Sequence, residues 1–104
     1  MIEKRILDPE NIDAALAEKS ILIDFHAPWC GACKTLGKIL DALEKDVPEN
    51  LVLGMIDVEK FPELAARFGV TTLPRLLFYR KTRLIDEKSG VVSKEKILAM
   101  ISRQ

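Results

Sequence analysis

Two apolar segments separated by an amphipathic helix constrain the fold of this chain more than any other feature. The first, "SILIDFHA" at residues 20–27, is apolar on both faces of a strand, and a second apolar strand, "LVLGMID", follows at residues 51–57. A strand that is apolar on both faces is typical of the centre of a sheet that is covered on both sides. Between the two strands, apolar residues recur at helical spacing: Leu36, Ile39, Leu40, Leu43 and Val47. The pattern predicts a strand, a helix ended by Pro48 and Asn50, and a second strand.

Shorter periodic segments supply the other elements. In chain order they are a strand at residues 4–7, a helix that Asp8 caps and Pro9 begins, a helix at 61–68, strands at 75–79 and 83–88, and a helix capped by Ser93. The resulting order is β-α-β-α-β-α-β-β-α. Alternating strands and helices imply a sheet with helices on both faces, and the final strand pair adds an antiparallel edge. We therefore predict an α/β fold with a central mixed β-sheet.

Length and charge narrow the possible functions. The 104 residues suit one domain over residues 1–104. The 16 basic residues balance the 16 acidic ones, which argues against nucleic acid or a membrane surface as the main partner. No segment approaches the roughly 20 apolar residues of a membrane helix, and the first ten residues lack the pattern of a signal peptide. We therefore expect a cytoplasmic protein, in a compartment where thiols are mostly reduced.

The two cysteines of the chain lie where the central strand gives way to the long helix. Cys30 and Cys33 are three positions apart, so on a helix they face the same way and come near the distance that a disulfide needs. The positive end of a helix stabilises a thiolate, and cysteines in this setting have pKa values below the free value of about 8.5. This pattern favours a reversible redox pair, with Cys30 as the nucleophile and Cys33 as the resolving thiol.

Three other interpretations of the cysteine pair remain open. A structural disulfide across so short a loop would constrain the unfolded chain little. A zinc site needs four ligands, and the chain offers two cysteines and His26, so zinc would require a site shared between two chains. Two inert buried thiols are the third possibility, and they would leave a redox-silent binding module.

At these residues the sequence resembles the thioredoxin family. "DFHAPWCGACK", residues 24–34, is similar to the active-site segment of the family, and "PELAARFGVTTLP", residues 62–74, is similar to its second signature. The element order is that of the thioredoxin fold over nearly the whole chain. The resemblance implies a monomeric thiol-disulfide oxidoreductase that reduces protein disulfides and is itself reduced by a thioredoxin reductase. It needs no bound cofactor and no metal, because the dithiol carries the two electrons.

The resemblance also implies roles for single residues. Gly31 and Ala32 correspond to the pair that tunes the reduction potential. Asp24 corresponds to a buried aspartate that exchanges protons with Cys33; burial would raise its pKa, whereas a strand-end aspartate would reach solvent. Substrate contacts are implied for five residues: Trp29, Thr72, Leu73, Pro74 in the cis form, and Gly90.

Six positions depart from the family pattern. They are His26 for tryptophan, Ala32 for proline, Lys38 for a kink-forming proline, Met55 for a lysine, Arg75 for threonine and Thr82 for a hairpin glycine. Ala32 leaves open an oxidase or isomerase of the same fold, since this position influences the potential. Loss of the lysine at Met55 predicts a still higher pKa for Asp24. Arg75 is either a solvated charge or a group that stabilises the Cys30 thiolate or attracts acidic partners. His26 is either a strand-end residue with no chemical role or a group that shifts the pKa of the cysteines.

Overall fold

Strands and helices alternate along the chain in the predicted order. The structure, a computed structural model, describes residues 2–43, 45–48 and 50–103. Within these ranges the elements are β1 (Glu3–Ile6), α1 (Ile12–Leu16), β2 (Ser20–His26), α2 (Gly31–Asp41), β3 (Leu51–Asp57), α3 (Pro62–Arg67), β4 (Arg75–Arg80), β5 (Arg83–Ser89) and α4 (Lys94–Ile101). The predicted α/β class and element order are confirmed.

One mixed sheet contains all of these strands, in the order β1-β3-β2-β4-β5. β2 is central: it pairs in parallel with β3 and antiparallel with β4, while β1 adds to β3 in parallel and β5 forms a hairpin with β4. The register places Asp24 of β2 beside Met55 of β3 and Leu76 of β4. Neighbours across a sheet point to the same face, so Asp24 lies among apolar side chains.

Helices cover the sheet on both faces, which explains why β2 is apolar throughout. Leu22 of β2 packs with Leu36 and Leu40 of α2 and Ile97 of α4 on one face. On the other face, the alternate residues Ile21, Ile23 and Phe25 pack with residues of α1 and α3: Ile12, Ala15, Leu16 and Leu64. The two apolar layers hold the carboxyl end of β2 in place, and the cysteines follow directly after it. Among the described residues, no helix combines the length and apolar character that crossing a membrane requires.

The boundaries of two helices differ from the prediction. The Asp8 carboxylate accepts hydrogen bonds from the backbone amides of Glu10 and Asn11, at 2.8 and 2.9 Å. Asp8 therefore caps a turn, and α1 begins only at Ile12. α2 ends at Asp41, although the apolar pattern extends to Val47.

The last turn of α2 tightens where the helix stops. The Ala42 amide shares the carbonyls of Lys38 and Ile39, and the Leu43 amide bonds to Leu40. Leu43 still reaches the core as part of a turn, so its burial does not require the helix to continue. The prediction of a helix through residue 47 was wrong for this reason.

Candidate active site

Cys30 and Cys33 form a disulfide at the amino end of α2. Cys30 is the N-cap of the helix, with extended backbone, and its sulfur accepts a hydrogen bond from the Cys33 amide at 3.1 Å. The two Cα atoms are 5.2 Å apart. The sulfur of Cys30 therefore lies where unpaired helix amides and the positive end of the helix dipole favour negative charge.

The two cysteines are almost equally buried, but they differ in their position relative to an open groove. Both are nearly buried, Cys30 at 7% and Cys33 at 6% exposure, within a small apolar cluster that includes Ala27, Val58 and Leu73. Cys30, however, lines an open groove of about 500 Å³, and Cys33 does not. The other residues that line the groove are Trp29, Val58, Ala65, Val70, Thr71, Thr72 and Leu73. A partner that enters this groove reaches Cys30 first.

Three of the five predicted substrate-contact residues line this groove: Trp29, Thr72 and Leu73. Trp29 is 71% exposed, and Thr72 and Leu73 come to the groove from the segment between α3 and β4. The Leu73–Pro74 peptide bond is cis, and the Pro74 carbonyl accepts a hydrogen bond from the Gly90 amide at 2.9 Å. Gly90 has a φ of 76°, a left-handed conformation that glycine adopts without strain. The fold thus brings Trp29 to the same groove as Thr72 and Leu73, and it joins Gly90 to Pro74, the residue that follows Leu73.

Asp24 is buried in β2, with 4% exposure. One of its carboxylate oxygens, Oδ1, has no hydrogen-bond partner among the described residues. Burial raises the pKa of Asp24 from 3.8 to about 7, because the charged form loses its hydration. The structure therefore places this carboxyl in the interior, as the resemblance implies, and gives it both protonation states near neutral pH.

Arg75 and His26 are engaged in local contacts. The Arg75 guanidinium forms an ion pair with Glu87 and donates a hydrogen bond to the Ser89 hydroxyl, so its charge is largely compensated within the β4–β5 hairpin. His26 ends β2, and its carbonyl accepts a hydrogen bond from the Val58 amide at 2.9 Å. That bond fixes Val58 beside the cysteines. Among the described residues, no three His, Cys, Asp or Glu side chains cluster closely enough to hold a metal ion.

Several residues of the groove were not predicted from the sequence. Val58, Ala65, Val70 and Thr71 line it, although no role was expected for them. Val58 directly follows β3, and the carboxyl ends of parallel strands are where α/β sheets commonly bind ligands. That rule could have predicted a role for Val58. The positions of Ala65, Val70 and Thr71 depend instead on how α3 and the segment after it pack.

The fold and this site define a thiol-disulfide oxidoreductase: two cysteines that form a disulfide at a helix amino end, beside an open groove. The family model described as Thioredoxin matches residues 3–103. The chain belongs to the thioredoxin family. Members of this family act on disulfide substrates and are reduced by a thioredoxin reductase.

Similar proteins support the same assignment. The chain is 29% identical over 99 residues to thioredoxin of Chlamydia caviae, covering 95% of this chain and 96% of that one. It is 30% identical over 94 residues to thioredoxin of Bacillus subtilis, covering 90% of each chain. Among solved structures, a mutant thioredoxin from Halobacterium salinarum superposes with a TM-score of 0.84 at 24% identity, covering 95% of this chain and 88% of that one. This structural likeness confirms the fold.

Proposed function

We propose that this protein reduces disulfide bonds in protein substrates, with Cys30 as the attacking thiol. The Cys30 thiolate attacks one sulfur of the substrate disulfide, which forms a mixed disulfide and releases the other substrate sulfur as a thiolate. Cys33, as a thiolate, then attacks the Cys30 sulfur and releases the second substrate sulfur. The protein is left with the Cys30–Cys33 disulfide, and the substrate has gained two electrons and two protons.

The observation that carries this proposal is that only one of the two cysteines lines the open groove. Cys30 lines the open groove, whereas Cys33 lies outside it and is bonded to Cys30. Cys30 also gains from the helix amino end and from the Cys33 amide. An incoming disulfide therefore meets the thiol that is most easily ionised, and the second thiol is already within bonding range.

Asp24 is proposed as the proton acceptor for Cys33. A resolving thiol must lose its proton before it attacks, and a carboxyl with a pKa near 7 can accept a proton and later return it. The buried, unpartnered oxygen supports this role, because an unpaired acceptor is available to a thiol or to a bridging water. Gly31 and Ala32, between the cysteines, are proposed to tune the reduction potential.

The groove is proposed to hold an extended segment of the substrate. Trp29 offers a flat apolar surface, and Thr72 and Leu73 present backbone groups to a partner strand. Pro74 has no amide and so directs no donor at the sulfurs. Gly90, joined to Pro74, supplies part of the same docking surface.

The wider setting belongs to the same proposal. We infer a monomer of one domain over residues 1–104, which works in the cytoplasm, carries electrons on its dithiol without a bound cofactor, and is reduced by a thioredoxin reductase. A family match over residues 3–103 supports one domain. The low cysteine count supports a reducing compartment, since it is too small for a disulfide scaffold.

Insulin reduction tests the proposal, since reduced insulin chains precipitate and can be followed by turbidity. With dithiothreitol as the electron source, we expect the wild type to accelerate precipitation and both Cys30→Ser and Cys33→Ser to lose this effect. In a separate mixture without dithiothreitol, which would reduce the mixed disulfide, only pre-reduced Cys33→Ser should accumulate a covalent complex with insulin, because it keeps the attacking thiol. A complex trapped by Cys30→Ser instead would reverse the roles, and no acceleration by the wild type would favour a redox-silent binding module.

A further inference from the structure

A second cleft lies at the end of the sheet opposite the cysteines. It has a volume of about 420 Å³ and is lined by Lys19, Ser20, Arg80, Lys81, Arg83 and Ile85. Ser20 begins β2, whereas Cys30 follows the end of that strand. Seven strand residues at about 3.3 Å each separate the cleft from the redox site by about 20 Å.

The lining of this basic cleft contains four cations and no carboxylate. The acidic residues nearest to it in sequence are paired elsewhere. Glu18 forms an ion pair with Arg5 at 3.1 Å, Asp86 binds Arg103 at 2.7 Å, and Glu87 binds Arg75. Because the whole chain has no net charge, four cations around one small cleft are a local concentration of positive charge.

Contacts to neutral groups hold parts of the basic cleft in place. The Arg80 guanidinium donates hydrogen bonds to the carbonyls of Ile101, at 2.6 Å, and Arg103, and it lies 5.0 Å from the centre of the Phe78 ring. Carbonyls and a ring orient this cation, and none of the ion pairs in the described part of the chain involves Arg80. The Lys81 amide donates to the Glu18 carbonyl at 3.1 Å, which fixes the hairpin against the end of α1. An ordered Arg80 side chain loses less entropy when it binds a ligand, whereas Lys19, Lys81 and Arg83 are exposed and can adjust to it.

We propose that the basic cleft binds a compact anion with two or more adjacent phosphoryl groups. Arginine and lysine both bind phosphate oxygens well, and Arg80 keeps donors that its carbonyl partners do not use. Ser20 also lines the cleft, and its hydroxyl can donate a further hydrogen bond. Four cations around about 420 Å³ match a ligand that concentrates several negative charges in a small volume, which an acidic peptide does not do.

Titration with inorganic tripolyphosphate tests this site. The ligand is added at constant ionic strength to the wild type, to a Lys19→Gln/Arg83→Gln variant, and to a Lys38→Gln/Lys96→Gln control with the same change in net charge. Amide NMR shifts locate the ligand and calorimetry gives Kd. We expect saturable shifts at residues 19–20 and 80–85 in the wild type, and about tenfold weaker binding in the cleft variant. The control should keep the wild-type Kd within a factor of about two.

Two outcomes would overturn the proposal. One is binding that is absent, that does not saturate, or that weakens equally in the control variant, which would mean that only overall charge matters. The other is tighter binding of an oligoglutamate peptide of matched charge, which would assign the cleft to an acidic protein partner. Insulin reduction is expected to be unchanged in both variants, so this test and that of the redox function succeed or fail separately.

Discussion

The surroundings of Asp24 affect both the chemistry of the site and the stability of the fold. Its carboxyl lies in the core between Met55 and Leu76, and burial raises its pKa to about 7. The folded protein therefore holds this proton more tightly than the unfolded chain, in which the pKa is near the ordinary 3.8. The free energy of unfolding should fall as the pH rises from about 4 to about 7, and the whole loss, about 4 kcal/mol, should be present above pH 7.

An Asp24→Asn variant isolates this contribution, because the amide keeps the shape and does not ionise. We expect the stability of the wild type relative to Asp24→Asn to fall by about 4 kcal/mol between pH 4 and pH 8, as measured by urea unfolding of the oxidised proteins. Asp13→Asn is the control, because it removes an exposed carboxylate. The stability of the wild type relative to Asp13→Asn should change by less than about 1 kcal/mol between pH 4 and pH 8. A stability difference that does not depend on pH would mean that Asp24 titrates at an ordinary value.

Ala32 gives a second prediction for a single residue. It lies in the first turn of α2, where the backbone amides have no partner within the helix and proline is tolerated. Ala32→Pro should restrict the reduced loop to conformations that already suit the disulfide. If the disulfide form gains about 0.4–1 kcal/mol relative to the dithiol form, the reduction potential becomes about 10–20 mV more negative. Equilibration with glutathione measures this shift, and a less negative potential would contradict the explanation.

Among the elements, the β4–β5 turn carries backbone strain. Lys81 and Thr82 have φ angles of 47° and 71°, the two left-handed residues of a two-residue hairpin turn. A β-branched residue is poorly suited to this conformation. Thr82→Gly should therefore stabilise the protein by about 1 kcal/mol, which calorimetry would detect as a melting temperature several degrees higher. Thr35→Gly, the same change on the exposed side of α2, should instead be destabilising.

Two glycines in regular elements should respond in opposite ways to alanine. A Cβ atom at Gly54 in β3 would lie 2.6 Å from Leu7 Cδ1 and 3.2 Å from Ile21 Cδ1, and both neighbours are fully buried. Gly54→Ala should cost about 1–3 kcal/mol. At Gly37 in α2 no atom outside the adjoining residues and the backbone of the helix itself lies within 4 Å of such a Cβ, so Gly37→Ala should stabilise by up to about 1 kcal/mol. Urea unfolding of both variants measures the contrast, and equal effects would contradict this packing.

The elements show where prediction from sequence succeeds and where it stops. β2 and β3 were predicted at nearly their observed bounds, because a strand that is apolar on both faces has few alternatives. The end of α2 was not predicted correctly. Leu43 is buried at the position that a longer helix would give it, but it lies in a turn. The periodicity of apolar residues indicates which residues are buried, but it does not determine whether their backbone is a helix or a turn.

At the scale of the whole molecule, the same limit applies to sites. Trp29, Cys30 and Cys33 were predicted because they are adjacent in one segment, and Leu73 because it precedes the proline of a second motif. Val70 had no expected role and reaches the groove only through the packing of the segment after α3. The basic cleft likewise joins residues 19–20 to residues 80–85 through the pairing of β2 with β4. Such contacts depend on strand order, which local patterns do not encode.

Redox state and folding must also be coupled across the whole molecule, and the direction of coupling distinguishes a reductase from an oxidase. When folding favours the disulfide over the dithiol, the potential falls and the oxidised protein is the more stable form. An oxidant of this chemistry has a high potential because its reduced form is the one that is stabilised. The proposed reductase should therefore have a larger free energy of unfolding when oxidised, by about 1.4 kcal/mol for every 30 mV by which folding lowers the potential.

Urea unfolding with and without an excess of a phosphine reductant measures this coupling directly. A Cys30→Ser/Cys33→Ser variant is the control, since it has no disulfide to lose and should unfold identically under both conditions. Greater stability of the dithiol form would contradict a reductase and favour the oxidase or isomerase that Ala32 leaves open. The physiological substrate need not be known for this measurement, because the same free energy that holds the disulfide in the folded protein sets the direction in which its electrons flow.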